Sequence, residues 1–267
     1  MDKSSLVGII LGIIAVGVGM VAKGVSPSVL MNPAAFLIIV VGTVAAVTIA
    51  FPGSDLKKVP KLFGILFKDQ KRMSPQEVIG LFTGWAELAR KEGLLSLETK
   101  MSEIEDDFLK NGMSLAVDGQ SADYIRDVLS EEIAAMEDRH ASGAAIFTQA
   151  GTYAPTLGVL GAVIGLIAAL GNMADTNALG HAISAAFVAT LLGIFTGYVL
   201  WHPFANKLKR KSGMEAKVKE MMVEGILSIL EGEAPRVLEQ KLSSYLPADE
   251  KKKLLNADGG GQGDGEA

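Results

Sequence analysis

The stretch that decides the fold is residues 151–203, GTYAPTLGVLGAVIGLIAALGNMADTNALGHAISAAFVATLLGIFTGYVLWHP. It contains two long apolar segments and a short polar break, with Pro155 inside the first segment and Pro203 closing the second. Because about 18 nearly uncharged residues in a row are typical of a membrane span, we interpret the stretch as two transmembrane helices. Small and hydroxyl residues recur in it: Thr152, Thr156, Gly158, Gly161, Gly165, Thr190 and Thr196. In lipid they let helices approach closely, which predicts a packing or pathway surface.

The composition of the whole chain is typical of a membrane protein with polar parts. Hydrophobic residues make up 49% of the 267 residues and are concentrated in four blocks, with strongly charged segments between them. The formal net charge of -5 argues against nucleic acid as a partner, because phosphate binding needs a basic face. The chain has no cysteine, which excludes disulfides and thiol chemistry.

Two further apolar blocks lie at residues 6–22 and 34–51, and we interpret them as the first and second spans. Pro52 and Gly53 end the second of them. We expect the hydroxyls of Thr43 and Thr48 to donate hydrogen bonds to carbonyls of their own helix. The predicted fold is therefore an all-α polytopic membrane protein with four transmembrane helices and a helical cytoplasmic domain.

The distribution of basic residues predicts the orientation in the membrane. Residues 54–72 carry six lysines and arginines, and Lys207, Lys209, Arg210 and Lys211 follow the fourth span. The loops at 24–33 and 172–180 carry none. By the positive-inside rule, both termini and residues 54–140 are cytoplasmic, and we expect a multi-pass protein of the bacterial cytoplasmic (inner) membrane. The basic segment after the second span is amphipathic and should lie at the lipid interface.

The predicted domain boundaries follow from these patterns. Residues 1–53 hold spans one and two, 54–143 a cytoplasmic helical domain, 144–203 spans three and four, 204–245 a cytoplasmic helical extension, and 246–267 a disordered acidic, Gly-rich tail. Within the cytoplasmic domain, Ser74-Pro75-Gln76-Glu77 predicts a capped helix start. A second helix should run from about Ser96 to Lys110 and stop at Asn111-Gly112. A third should begin near Ser121 and continue into the third span.

The cytoplasmic domain is rich in acid. Twelve acidic residues lie between Glu98 and Arg139, against four basic ones. Such a run is compatible with a solvated face, and for a few residues with a charged docking surface for a protein partner.

No familiar catalytic constellation is present, so we predict neither an enzyme nor a cofactor. His140, His181 and His202 lie far apart in sequence near the ends of predicted spans, and there is no phosphate-binding loop. The cores of the four apolar blocks contain no Asp, Glu, Lys, Arg or His. Because ion pathways through membranes normally need an ionisable group, any carboxylate in such a pathway must come from another chain.

Three segments carry a specific resemblance: AELARKEGLLSLE (86–98), NGMSLAVDGQSADYIRD (111–127) and TYAPTLGVLGAVIGLIAAL (152–170). Together with the order of spans and polar domain, they resemble the MotA family, the larger subunits of bacterial flagellar motor stators. The resemblance covers about residues 1–245. It implies a homopentamer of this chain around a MotB dimer, whose single span supplies an aspartate. It also implies that ion flow past the aspartate drives torque on the rotor protein FliG.

The family's functional positions can be carried over residue by residue. The resemblance implies rotor contact at Arg90 and Glu98, and coupling at Pro155 and Pro203. It places Thr156, Ala162 and Thr190 along the ion pathway. Sodium-driven relatives have hydroxyl residues at the last two positions, whereas this chain keeps Thr190 but has Ala162. Because dehydrated sodium needs oxygen ligands, this favours H+ as the coupling ion.

Three alternatives remain. An energiser subunit of the ExbB or TolQ type shares the family's logic but has three spans, which four apolar blocks disfavour. A secondary transporter would bind its substrate near the middle of the membrane, and the lack of intramembrane charge and of internal repeats argues against it. A purely structural membrane scaffold is compatible with the apolar pattern alone.

Overall fold

A computed structural model describes residues 3–68, 72–171 and 176–259. The described residues form helices and turns and contain no strand, which confirms the all-α prediction. The helices are α1 Lys3–Ala22, α2 Pro33–Ala50, α3 Gly53–Leu56, α4 Val59–Phe67, α5 Pro75–Glu92, α6 Glu98–Met101, α7 Asp107–Val117, α8 Ala122–Leu170, α9 Thr176–Leu230, α10 Pro235–Ser243 and α11 Ala248–Gly259. Short 3₁₀ turns lie at Pro27–Leu30 and Leu94–Leu97.

Four of these helices, α1, α2, α8 and α9, are long and apolar enough to cross a membrane, as predicted. The chain divides into two compact units. The membrane unit comprises Met1–Gln70 and Asp138–Lys211, and the head unit comprises Lys71–Glu137 and Ser212–Ala267. Helices α8 and α9 each contribute residues to both units.

In the membrane unit, α4 packs its apolar side onto α8 and α9. Leu66 is fully buried in this contact. Five aromatic rings form a cluster with centroid separations from 5.2 to 6.4 Å: Phe63, Phe67, Phe147, Trp201 and Phe204. The Lys211 ammonium donates to the carbonyls of Ile65 and Lys68 at 2.7 and 3.1 Å, at the end of α4 where cations stabilise a helix.

The head unit is built around a core of large apolar side chains. Its first helix, α5, begins with the predicted capping box, in which the Glu77 amide donates to the Ser74 hydroxyl and the Ser74 amide to the Glu77 carboxylate. The helical spacing of Val78, Phe82 and Trp85 turns these side chains to one side, where they are buried with residues of α7, α8, α9 and α10.

The prediction of a second helix from about Ser96 to Lys110 is wrong. Residues 94–97 form a 3₁₀ turn, α6 ends at Met101, and α7 runs through Asn111-Gly112 to Val117. Gly112 lies inside α7, where its lack of a side chain allows close packing. A Cβ there would lie 2.5 Å from Ile226 Cδ1 and 2.9 Å from Leu129 Cδ1. The helix ends instead before Gly119, whose φ of +76° is the left-handed conformation that glycine adopts readily. The third helix begins as predicted, since the Tyr124 amide donates to the Ser121 hydroxyl.

The prediction of a disordered tail needs correction for part of its length. Residues Ala248–Gly259 form α11, since Ala, Glu, Lys and Leu favour helix and Asp249 and Glu250 stand in its first turn. The Glu250 carboxylate also accepts a hydrogen bond from Gln76 at the start of α5. The rest of the predicted tail, residues 260–267, lies outside the described residues.

Candidate functional site

A seam of small residues brings α8 and α9 close together in the membrane unit. A Cβ on Gly158 would lie 2.8 Å from the Ala189 carbonyl oxygen and 3.0 Å from Gly193 Cα. A Cβ on Gly193 would lie 2.7 Å from the Ala154 carbonyl oxygen. Further along the seam, Gly161 faces Ala189 and Gly165 faces Ala186. Because later residues of α8 meet earlier residues of α9, the two helices are antiparallel.

At one end of the seam the fourth span changes register in a π turn, Thr196–Trp201. The amide of His202 closes it by donating to the Gly197 carbonyl. The Thr196 hydroxyl, at the start of the turn, donates to the carbonyls of Leu192 and Gly193 at 2.9 and 3.1 Å. Such turns inside α-helices are frequent at functional sites.

Both predicted coupling prolines lie beside this turn. Pro155 stands inside α8, and its ring contacts Gly197: a Cβ there would lie 2.8 Å from Pro155 Cγ. Pro203 does not close the fourth span, because α9 continues through it to Leu230. The π turn ends two residues before Pro203, so the wider hydrogen-bond ring accommodates a residue without an amide proton.

The three predicted pathway residues lie next to the seam. Ala162 and Thr190 each follow a residue of the Gly161–Ala189 contact, so they lie at the same level of the helix pair. Both are half-buried. Thr156 is exposed and its hydroxyl donates to the Tyr153 carbonyl at 2.7 Å, whereas the Thr190 hydroxyl lies 3.4 Å from the Ala186 carbonyl. The long distance leaves the Thr190 hydroxyl weakly held by its own helix.

A buried hydroxyl departs from expectation in the second span. The Thr48 hydroxyl donates to the Val44 carbonyl at 2.7 Å, as predicted. The Thr43 hydroxyl, in a residue only 3% exposed, has no hydrogen-bond partner among the described residues. A π turn at Leu37–Val41 precedes Thr43 and changes the placement of the carbonyls below it, which explains why the local hydrogen bond is absent.

The two predicted rotor-contact residues, Arg90 and Glu98, are exposed in the head unit. Arg90 lies in the last turn of α5, and Glu98 is the first residue of α6. Between them, Gly93 turns the chain with a φ of +87°. Neither side chain makes an ion pair within the described part of the head unit, so both charges are available to solvent or to a partner.

A groove of about 900 Å³ lies elsewhere in the head unit, between α5, the segment before α7 and α9. Trp85, Leu109 and Met222 line its floor, and Arg72 and Glu215 form an ion pair at its edge. It does not include Arg90 or Glu98. Within residues 3–68, 72–171 and 176–259, no group of three or more acidic or histidine side chains is placed to hold a metal ion.

The sequence interpretation missed Gly193, Gly197 and the contact of His202 with the seam. Atoms of the His202 ring lie 2.8 Å from where a Cβ on Gly151 would stand, and its centroid is 5.3 Å from that of Tyr198. The spacing of Gly193 and Gly197, four residues apart in an apolar helix, is a recognised sign of close helix contact and could have indicated the seam.

Four helices long and apolar enough to span a membrane, together with a polar helical head unit, define the class: a multi-pass helical membrane protein. The chain belongs to the MotA/TolQ/ExbB proton channel family, whose model matches residues 100–221. It is 67% identical to Motility protein A of Bacillus subtilis, over 95% of this chain and 94% of that protein.

Chains of known structure share the fold, including those of two MotAB complexes. The flagellar MotAB stator complex from Bacillus subtilis contains a chain that matches with a TM-score of 0.91 and 67% identity, covering 95% of this chain and 99% of that one. The MotAB structure from C. jejuni matches with a TM-score of 0.89 and 33% identity, covering 93% and 97% of the two chains.

Proposed function

We propose that the chain is a stator subunit of a bacterial flagellar motor. With a MotB partner it forms an ion channel and converts ion flow into torque on the rotor, without chemical turnover. The observation that carries the proposal is the seam between α8 and α9, which combines small residues and Pro155 with spans that have no carboxylate. A similar chain, at 67% identity, is part of a MotAB stator complex.

The partner completes the pathway. In our proposal, the single span of MotB places its aspartate beside the seam, near the level of Ala162 and Thr190. Copies of this chain, as a homopentamer, surround the MotB dimer. A half-buried, weakly held Thr190 hydroxyl is a group that can hydrogen-bond to water or to a carboxylate at this level.

The head unit transmits the motion. Arg90 and Glu98, both exposed and close along the chain, present opposite charges to the rotor protein FliG. Charged pairs across an interface set its orientation and specificity. The proposed orientation places the head unit and both termini in the cytoplasm, in agreement with the basic residues that flank the second and fourth spans.

The central experiment reverses these charges in the complete stator. Arg90→Glu and Glu98→Lys should weaken motility while ring assembly and membrane ion leak stay intact, and opposite reversals on FliG should restore part of the swimming speed. Glu131→Lys, an exposed acid of the same unit, is the matched control and should swim normally. Normal swimming of a stator that carries both Arg90→Glu and Glu98→Lys would exclude the assigned rotor contact.

The coupling ion is tested separately. Because Ala162 removes a potential oxygen ligand for sodium, we propose H+ as the coupling ion. Swimming speed should then be insensitive to replacement of sodium and should collapse when a protonophore is added. A speed that follows the sodium concentration would reject the argument from Ala162.

A further inference from the structure

The glycine seam has two neighbouring members with different surroundings. Gly193 faces regular helix backbone: the Ala154 carbonyl oxygen and Gly158 Cα. Gly197, one turn further, faces the Pro155 ring and the Gly151 carbonyl oxygen, with a Cβ position 2.8 Å from each. The first contact is ordinary close packing of two helices, whereas the second joins two places where the helices are irregular.

The irregularity in α8 is chemical. Pro155 has no amide proton, so the Gly151 carbonyl lacks the donor that any other residue at 155 would provide. In a membrane such a carbonyl must find other interactions, because little water is available. The hydrogen of Gly197 that stands in place of a side chain points at this carbonyl, and the His202 ring covers Gly151.

The irregularity in α9 is the π turn that contains Gly197. The turn begins at Thr196 and ends at Trp201, which belongs to the aromatic cluster. Pro203, which like Pro155 has no amide proton, follows the turn. Gly197 therefore belongs to the π turn before Pro203 and at the same time contacts the ring of Pro155. Any side chain at 197 would have to displace backbone or a rigid ring.

We infer that Gly197 is a positioning residue for torque generation: its lack of a side chain sets the register between Pro155 and the π turn before Pro203. The two irregular places then move as one element when the helix pair changes conformation. This inference rests on the proposed stator function and adds to it a residue whose role is to align the two helices.

The test measures torque per stator unit. Single motors are loaded with a bead while expression of the subunit is restored, so that each added unit raises the speed by one step. Gly197→Ala should lower the step height at least about fivefold, equivalent to about 1 kcal/mol of strain, while the number of steps stays normal. A reduced number of steps with normal height would mean a purely structural role and would overturn the inference.

Two comparisons keep the outcome interpretable. Gly213→Ala, where a Cβ has no neighbour within 4 Å, should leave both number and height unchanged. The thermal stability of the purified complex should show non-additive effects for Gly197→Ala with Pro155→Ala, and additive effects for Gly197→Ala with Gly213→Ala. Additivity in the first pair would contradict the contact that carries the inference. If the wild-type chain produces no steps, the proposed function itself fails. If the wild-type chain produces steps and Gly197→Ala produces steps of the same height, the inference alone fails.

Discussion

Among the described residues, glycines of the membrane unit pack against the backbone of an opposite helix as well as against side chains, whereas the packed glycines of the head unit face side chains. In the membrane unit, Gly158 and Gly193 face carbonyl oxygens and Cα atoms of the opposite helix. In the head unit, Gly112 faces the methyl ends of Ile226 and Leu129, and Gly225 faces the Phe82 ring. Backbone cannot move without moving a whole helix, whereas a side chain can change rotamer.

The surroundings follow from the solvent of each unit. Lipid gives helices no hydrophobic reason to associate, so the spans depend on close fit of small residues. In water, burial of large apolar side chains stabilises the head unit, as the fully buried Phe82, Leu109 and Ile226 illustrate. The membrane unit should therefore be sensitive to added volume, and the head unit more tolerant of it.

The largest expected effect is on the seam. In Gly193→Ala the new Cβ would lie 2.7 Å from the Ala154 carbonyl oxygen, so α8 and α9 must separate. We expect a less stable complex with a lower yield, measured by co-purification with MotB and by size-exclusion chromatography in detergent. Gly165→Ala is the matched control, since its Cβ would lie 3.5 Å from the nearest atom, Ala186 Cβ. The complex of this variant should assemble normally. Equal behaviour of the two variants would remove the distinction between backbone and side-chain contacts.

A smaller effect is expected in the head unit. Gly112→Ala should destabilise it by about 1–3 kcal/mol of overpacking, offset by about 0.5–1 kcal/mol because alanine favours helix. Hydrogen exchange of peptides from residues 107–117 in the intact complex measures the change. The matched control is Gly84→Ala in α5, where no neighbour lies within 4 Å, and it should stabilise by about 0.4–1 kcal/mol. A stabilised Gly112→Ala variant would show that Ile226 and Leu129 yield without strain.

The same contrast explains what could be predicted from sequence. The four spans and the capping box of Ser74 and Glu77 were predictable because their signals are local: apolar length, and a hydroxyl three residues before a carboxylate. The roles of Gly112 and Gly197 were not, since a glycine can end a helix or admit a neighbour, and only the opposite helix decides. Gly119 ends α7 and Gly112 does not, although both follow an Asn or Asp.

Some features of the candidate site could likewise be predicted from sequence, and others could not. The absence of carboxylates in the spans is a property of the sequence alone. The roles of Arg90 and Glu98 came from family resemblance, and the structure adds that both are exposed on either side of the turn at Gly93. The π turn at Thr196–Trp201 was not predicted, because no local pattern in TGYVLW distinguishes a π turn from a continuous α-helix.

The smallest expected effect concerns charge in the head unit. Lys241, in α10, donates to the Ser228 hydroxyl at 3.1 Å and pairs with Glu224 and Glu233 of the preceding segment. Burial lowers the pKa of Lys241, but the hydrogen bond and charge of Glu224, with those of Glu233, outweigh it and raise the pKa above the ordinary 10.5. Folding therefore favours the protonated form. The stabilisation is fully present below pH 10.5 and is lost as the pH rises through the folded value.

Lys241→Met should make thermal unfolding of the complex less dependent on pH above 10.5 while lowering stability slightly at neutral pH. Lys217→Met, an exposed lysine of α9, is the control and should leave the alkaline loss of stability unchanged. The effect is small because the Lys241 side chain is 35% exposed, so solvent screens its ion pairs. An alkaline loss of stability that is equal in wild type and Lys241→Met would assign that loss to other lysines.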